Sequence, residues 1–290
     1  MITKPPDPPV VPVAIAPRPA DARWLLAWLT DAEATPILLG RPAQPTDDLA
    51  GVQSQINVAR AARAAREPWQ QQDPIVAGDA EVRGCLQARL DVQACFSGMI
   101  WQPAYVDLRR VLAVQKNVNV AGQAERINKA PSLVDLCLPT AQQPELRFSQ
   151  DGDGKGMTLS SPDLNLKVAG AGLGMVEVAP GVMRPAVQIV IDFPMSFVNV
   201  GLFRGRYYLR DGYHRAAGLL RAGKHIVPCI VVEVDSVQQL LPNPVGLFSE
   251  DVLLDDRPPA LTDFWDESVA CAGNRPSLRI VRVRGDEIVH

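Results

Sequence analysis

Asp211-Gly212-Tyr213-His214-Arg215 places a carboxylate, a glycine, a phenol and two basic side chains within five consecutive residues. What that chemistry can do depends on the elements that hold it. Val198 to Gly223 reads as strand, tight turn, strand, sharp turn and helix. Gly205 lies between two runs rich in β-branched and aromatic residues and marks a hairpin. Tyr207–Arg210 forms the second strand, and Gly212 supplies the backbone freedom to leave it. Tyr213 to Ala222 has helical spacing, with Ala217 and Leu220 on one face and Gly223 as a stop. A buried strand, Ile226 to Val234, follows.

This order puts Gly212, Tyr213, His214 and Arg215 at a helix N-terminus. Backbone N–H groups and the positive end of the helix dipole favour an anion there. Acidic residues are the usual choice for a first turn; two basic ones oppose the dipole unless something negative binds between them. The Arg215 guanidinium suits a phosphate because it can donate two parallel hydrogen bonds. Asp211 has three roles open to it: helix cap, general base or metal ligand. A purely structural alternative has Asp211 capping, Gly212 serving the turn, and His214 and Arg215 pairing with acidic neighbours.

With its short preceding strand, the Ala/Leu-rich helix, Gly223 and the Val-Pro-Cys-Ile-Val-Val strand, this segment resembles the ParB/sulfiredoxin superfamily over roughly residues 187–234. The resemblance implies an α+β fold, a mixed sheet with packed helices. It also implies that the strand–Gly-x-x-Arg–helix junction binds nucleotide phosphates, with ATP or CTP and magnesium as the cofactor. The small-molecule kinase branch, whose motif reads Asp-Gly-His-His-Arg, is the most similar. By that resemblance Asp211 is the catalytic residue, Gly212, Tyr213, His214 and Arg215 bind phosphate, and a second carboxylate comes from an upstream segment that does not align. Sulfiredoxin keeps its reactive cysteine directly before the His-Arg pair. Tyr213 stands there in this chain, so thiol chemistry is not expected. Partition members carry a second nucleotide motif and a helix-turn-helix, and neither is visible after Val234.

The chain has 290 residues, 47% hydrophobic and 21% charged, enough for one large domain or two modest ones. A net charge of −3 and a pI near 5.7 argue against broad electrostatic capture of nucleic acid. Five cysteines are scattered without a Cys-x-x-Cys pair, and the three histidines do not cluster with them. No structural metal site or disulfide framework is expected, and a reducing cytoplasm fits. No apolar run approaches membrane-spanning length, so no membrane association is expected.

Four regions follow. Residues 1–19, rich in proline, read as a disordered arm that could engage a protein partner. Residues 20–140 read as mostly helical. Helices are expected over Asp21 to Thr30, Leu49 to Glu67 and Asp79 to Phe96, while Tyr105 to Gln115 is open between helix and strand. Arg60, Arg63 and Arg66 recur every third residue, a solvated face or a phosphate-binding stripe, with the former favoured. Residues 141–235 read as the ParB/sulfiredoxin-like core, with Val187–Ile191, Tyr207–Arg210 and Ile226–Val234 in one mixed sheet. Asp151 to Gly156 and Gly170 to Gly174 read as glycine-rich turns. Residues 236–290 read as an extension packed on the core. Three function classes remain: a nucleotide-dependent phosphotransferase or hydrolase, a non-catalytic nucleotide-sensing or protein-interaction module, and a DNA-associated partition or nuclease-like protein. The acidic pI weighs against the third.

Overall fold

The structure is a computed structural model that describes residues 22–119, 123–139, 146–150, 156–161, 166–192, 196–241, 246–274 and 279–284. The proline-rich arm lies outside these residues. The architecture is α+β, centred on a six-stranded mixed sheet. Its strands run in the order Ile75–Val76, Ile100–Asp107, Ile226–Glu233, Asn199–Phe203, Arg206–Asp211, Leu112–Ala113. Ile226–Glu233 lies antiparallel to Ile100–Asp107 along its whole length and parallel to Asn199–Phe203. The helix Tyr213–Arg221 links the two halves of that arrangement.

Burial explains why these segments pair. Val106, Val200, Leu209, Ile230 and Val232 are fully buried, and the sheet is covered on both faces, so its strands read as apolar runs rather than as clean alternation. The helix Tyr213–Arg221 is enclosed from several sides. Its residues 215–220 are all buried, against the helix Gln123–Lys129, the strand Asn117–Asn119 and the turn Leu261–Trp265. Gly218 is required by one of these approaches: a Cβ there would come within 2.9 Å of Gln123 Cβ.

Several expectations need correction. Asp21 to Thr30 is not a helix; it holds the strand Ala22–Trp24 and the 3-10 turn Leu26–Trp28. Leu25 to Leu29 is buried on every side, and a short, wholly apolar run carries no period that separates strand from helix. The single helix over Asp79 to Phe96 is two, Ala80–Ala88 and Leu90–Cys95, because Arg89 takes an extended conformation. Its guanidinium reaches the carbonyl oxygens of Leu138 (2.6 Å) and Pro139 (3.0 Å), which pull the chain out of helical geometry. Tyr105 to Gln115 resolves as the end of the strand Ile100–Asp107, a 3-10 turn at Leu108–Arg110 and the strand Leu112–Ala113.

The central sheet also crosses the division expected near residue 140, since three of its strands come from residues 75–113. Conversely, Val187–Ile191 is not in it. That segment belongs to Val182–Asp192, which pairs with Lys167–Ala179 in a separate two-stranded ribbon. Gly170 to Gly174 is not a turn but lies inside the ribbon, whose turn is Pro180-Gly181 with Gly181 at φ 74°. Residues 151–155 of the other expected turn are not described, but the flanking strands Arg147–Gln150 and Gly156–Ser161 pair antiparallel.

The arginine stripe on the helix Ala50–Ala64 and the turn after it is a set of ion pairs. Arg60 meets Asp31 (2.7 Å), Arg63 meets Asp255 (2.9 Å), and Arg66 meets Asp263 (2.9 Å) and Asp266 (2.6 Å). Arg63 and Arg66 also stack over Trp28, about 5.5 Å from its ring centre. These contacts pin the C-terminal segment to the helix.

Candidate functional site

The site begins at a turn. Arg204 and Gly205 sit at φ 48° and 75°, the pair of left-handed conformations of a type I′ hairpin, which fixes Phe203 opposite Arg206. A register shift between Asn199 and Val200 then sets Asp211, rather than Arg210, opposite Asn199. Gly212 then turns the chain at φ 78° and ψ 20°. A Cβ on Gly212 would fall 2.8 Å from the Val198 Cα and 2.9 Å from its Cγ2, so only glycine fits. The helix Tyr213–Arg221 starts at the next residue and has no side-chain cap. It ends in a Schellman arrangement, with Gly223 N–H donating to Leu220 O (3.0 Å) and Lys224 N–H to Leu219 O (2.9 Å).

Asp211 does not cap this helix in the usual way. Its Oδ1 accepts from its neighbour Gly212 N–H (2.6 Å) and from the Ser196 hydroxyl (3.1 Å). Its Oδ2 makes no hydrogen bond among the described residues. Burial pushes the Asp211 carboxyl above its ordinary pKa, against the opposing pull of the Gly212 N–H, the Arg215 charge and Ser196.

Arg215 is buried, and its hydrogen bonds explain how a charge survives there. Nη1 donates to Leu136 O (3.0 Å), and Nη2 donates to Ser196 O (2.5 Å) and Ser196 Oγ (2.8 Å). Both terminal nitrogens of the guanidinium are therefore taken by protein oxygens, and the open fork expected from the sequence is not the arrangement present. Ser196 becomes the link between the two charges: its hydroxyl donates to Asp211 and accepts from Arg215.

His214 points elsewhere. Its Nδ1 accepts from Asn119 N–H (3.1 Å), which fixes the neutral tautomer with the proton on Nε2. The ring is thus a hydrogen-bond donor held against the strand Asn117–Asn119. The Tyr213 hydroxyl donates to the Arg210 carbonyl oxygen, closing the turn from within, and burial raises its phenol well above the ordinary range. The Arg210 Nε donates to Gln239 O (2.9 Å).

All five residues singled out in the sequence lie at one strand-to-helix junction. Sequence reasoning missed three partners: Ser196, Leu136 and Asn119. Two of these act through backbone atoms, which residue types do not advertise, and Ser196 lies across segments not adjacent in sequence. The Cys137 thiol lies near enough to feel the Arg215 charge, but it is buried. Cys137 and Cys229 are buried, and burial pushes the Cys137 thiol up to about 12 and Cys229 well above its usual range. Among the described residues no three His, Cys, Asp or Glu side chains gather as a metal site, and no helix is long and apolar enough to cross a membrane. In comparison with protein-family models, with curated proteins and with solved structures, the chain finds no match.

Proposed function

We propose that the junction Asp211–Arg215 binds the phosphates of a nucleotide, in the manner of the ParB/sulfiredoxin superfamily, and that Asp211 acts on the bound phosphate as a base or metal ligand. The observation that carries the reading is the uncapped helix start at Gly212, beside an Asp211 oxygen that makes no hydrogen bond among the described residues. An anion at that helix start meets the dipole without displacing an acidic cap. Arg215 serves as a buried positive charge that holds Ser196, and through it Asp211, in place. It is a positioning residue here rather than a phosphate ligand. A magnesium ion would take Asp211 and phosphate oxygens, the sparse protein ligation usual for that ion.

The test is calorimetric titration with ATP, ADP and CTP, with and without magnesium. His214→Ala removes a donor to a charged group, worth about 1.5–3 kcal/mol, so binding weakens roughly tenfold to a hundredfold or more. Asp211→Asn keeps the Gly212 and Ser196 contacts and spares binding while abolishing turnover. Wild-type protein that binds none of the three nucleotides overturns the reading. Binding without turnover selects the second reading, a nucleotide-sensing or interaction module.

A further inference from the structure

Arg210 differs from the other arginines around the junction. Arg206 donates to Leu253 O (3.0 Å) and Asp255 O (2.8 Å), Arg204 meets Glu250 (3.2 Å), and the terminal nitrogens of Arg215 are taken by Leu136 and Ser196. The half-buried Arg210 guanidinium has one contact, from Nε to Gln239 O (2.9 Å). Its Nη1 and Nη2 make no hydrogen bond or ion pair among the described residues. The register explains its placement. Leu209 lies opposite Val200 and Asp211 opposite Asn199, so Arg210 is the extra residue of a β-bulge. Its side chain crosses the neighbouring strand: a Cβ on Gly201 would sit 3.8 Å from Arg210 Cδ. Asn199 shares that face with Gly201, because side chains alternate along a strand.

Asn199 is the second unsatisfied group. It is only 4% exposed, and its enclosed Oδ1 has no hydrogen-bond partner. Buried side-chain polar atoms are bonded in the large majority of cases, so an enclosed, unbonded amide calls for an explanation. Burial also pulls the Arg210 guanidinium below its ordinary pKa, with the Asp211 charge acting the other way. A partly desolvated cation, a buried unbonded amide and the uncapped helix start at Gly212 thus adjoin one another on a single strand pair.

We propose that Arg210 and Asn199 extend the junction into a site for a chain of phosphates: the helix start takes one phosphate, the Arg210 fork takes another, and the Asn199 amide N–H donates beside it. The inference rests on the nucleotide reading above and deepens it, because it makes the number of phosphates the basis of selection. A guanidinium fork matches two oxygens of one phosphate. Arg215, whose fork is occupied, cannot supply that match, and Arg210 can. Arg210 precedes Gly212 by two residues, about 7 Å of extended chain, and its side chain leads away over Gly201. A single phosphate does not meet both the helix start and the fork, whereas a polyphosphate spans them.

The test is calorimetric titration of the full chain with ATP and with AMP. The wild type binds ATP more tightly than AMP. Arg210→Gln weakens ATP binding roughly tenfold to a hundredfold, the effect of losing a charge-assisted contact, and leaves AMP binding unchanged, which also shows that the variant is folded. Arg210→Lys falls between the two, since an ammonium keeps the charge but not the fork. Asn199→Ala weakens ATP binding about threefold to tenfold. Equal losses for ATP and AMP would make Arg210 a structural residue and overturn the proposal. So would an Arg210→Gln variant that binds ATP like the wild type; in either case the nucleotide reading stands. Unchanged ATP binding by Asn199→Ala overturns the amide contact. A wild type that binds neither nucleotide overturns this proposal and the nucleotide reading together.

Discussion

The central sheet and the Lys167–Asp192 ribbon are built from similar residues and end in opposite states. Leu209 in the strand Arg206–Asp211 is fully buried, while Leu173 in the ribbon is almost fully exposed. Both sit in β-strands with apolar neighbours, and both strands have an antiparallel partner. The difference lies above and below them. The helices Leu133–Cys137, Ala80–Ala88 and Val237–Leu240 pack on strands of the central sheet, whereas the ribbon has no packed layer among the described residues. Strand formation needs only a neighbour. Stability needs a second layer, and the position of a strand in the sequence does not reveal whether it will have one.

The same substitution made in each region breaks this comparison most sharply. Leu209→Ala is expected to cost about 2–5 kcal/mol in urea unfolding, since the cavity forms in a packed core. A cost below about 1 kcal/mol would mean the core relaxes around it. Glycine gives the next contrast. Gly212→Ala meets both a left-handed φ and the Val198 backbone, so a loss of roughly 2–3 kcal/mol is expected in the same measurement. A Cβ on Gly172 meets nothing within 4 Å, so Gly172→Ala leaves the unfolding midpoint unchanged or slightly raised.

Asp211→Asn sharpens the account of the junction through pH. Burial raises the Asp211 pKa in the folded state, so the native protein holds this proton more tightly than the unfolded chain. The stabilising contribution of the group is therefore fully present below the ordinary carboxylate pKa. It declines as pH rises from there through the folded-state value. The asparagine variant lacks that decline. Urea midpoints across an acid-to-neutral series should show its advantage over wild type growing with pH; parallel curves would remove the burial argument. The smallest effect belongs to Leu173→Ala, within about 0.5 kcal/mol of wild-type stability, as for exposed sites generally.

Much of the junction was legible in the sequence because its constraints are local. Gly205 and Gly212 are glycines because the backbone needs positive φ, and the strand–turn–helix–strand order followed from them. The membership of the central sheet was not legible. Ile100–Asp107 pairs with Ile226–Glu233 across more than a hundred residues, and the latter does not alternate, since residues 227–232 are buried on two faces. The orientation of Arg215 was not legible either. A buried guanidinium on backbone carbonyls and one poised for a phosphate have the same sequence, and only the placement of Leu136 and Ser196 decides between them.

His214 is held by Asn119, and the strand Asn117–Asn119 pairs with Ala22–Trp24, whose other edge pairs with Cys271–Gly273. That small sheet has a consequence for the timing of synthesis. The chain emerges at roughly 5–20 residues per second, so Ala22–Trp24 waits about 12–50 s before its last partner exists. Once Asn117–Asn119 has emerged, the strand that seats His214 rests on a neighbour with one open edge until Cys271–Gly273 follows. A nascent chain stalled between Arg215 and Cys271 therefore carries the motif without the full clamp on His214.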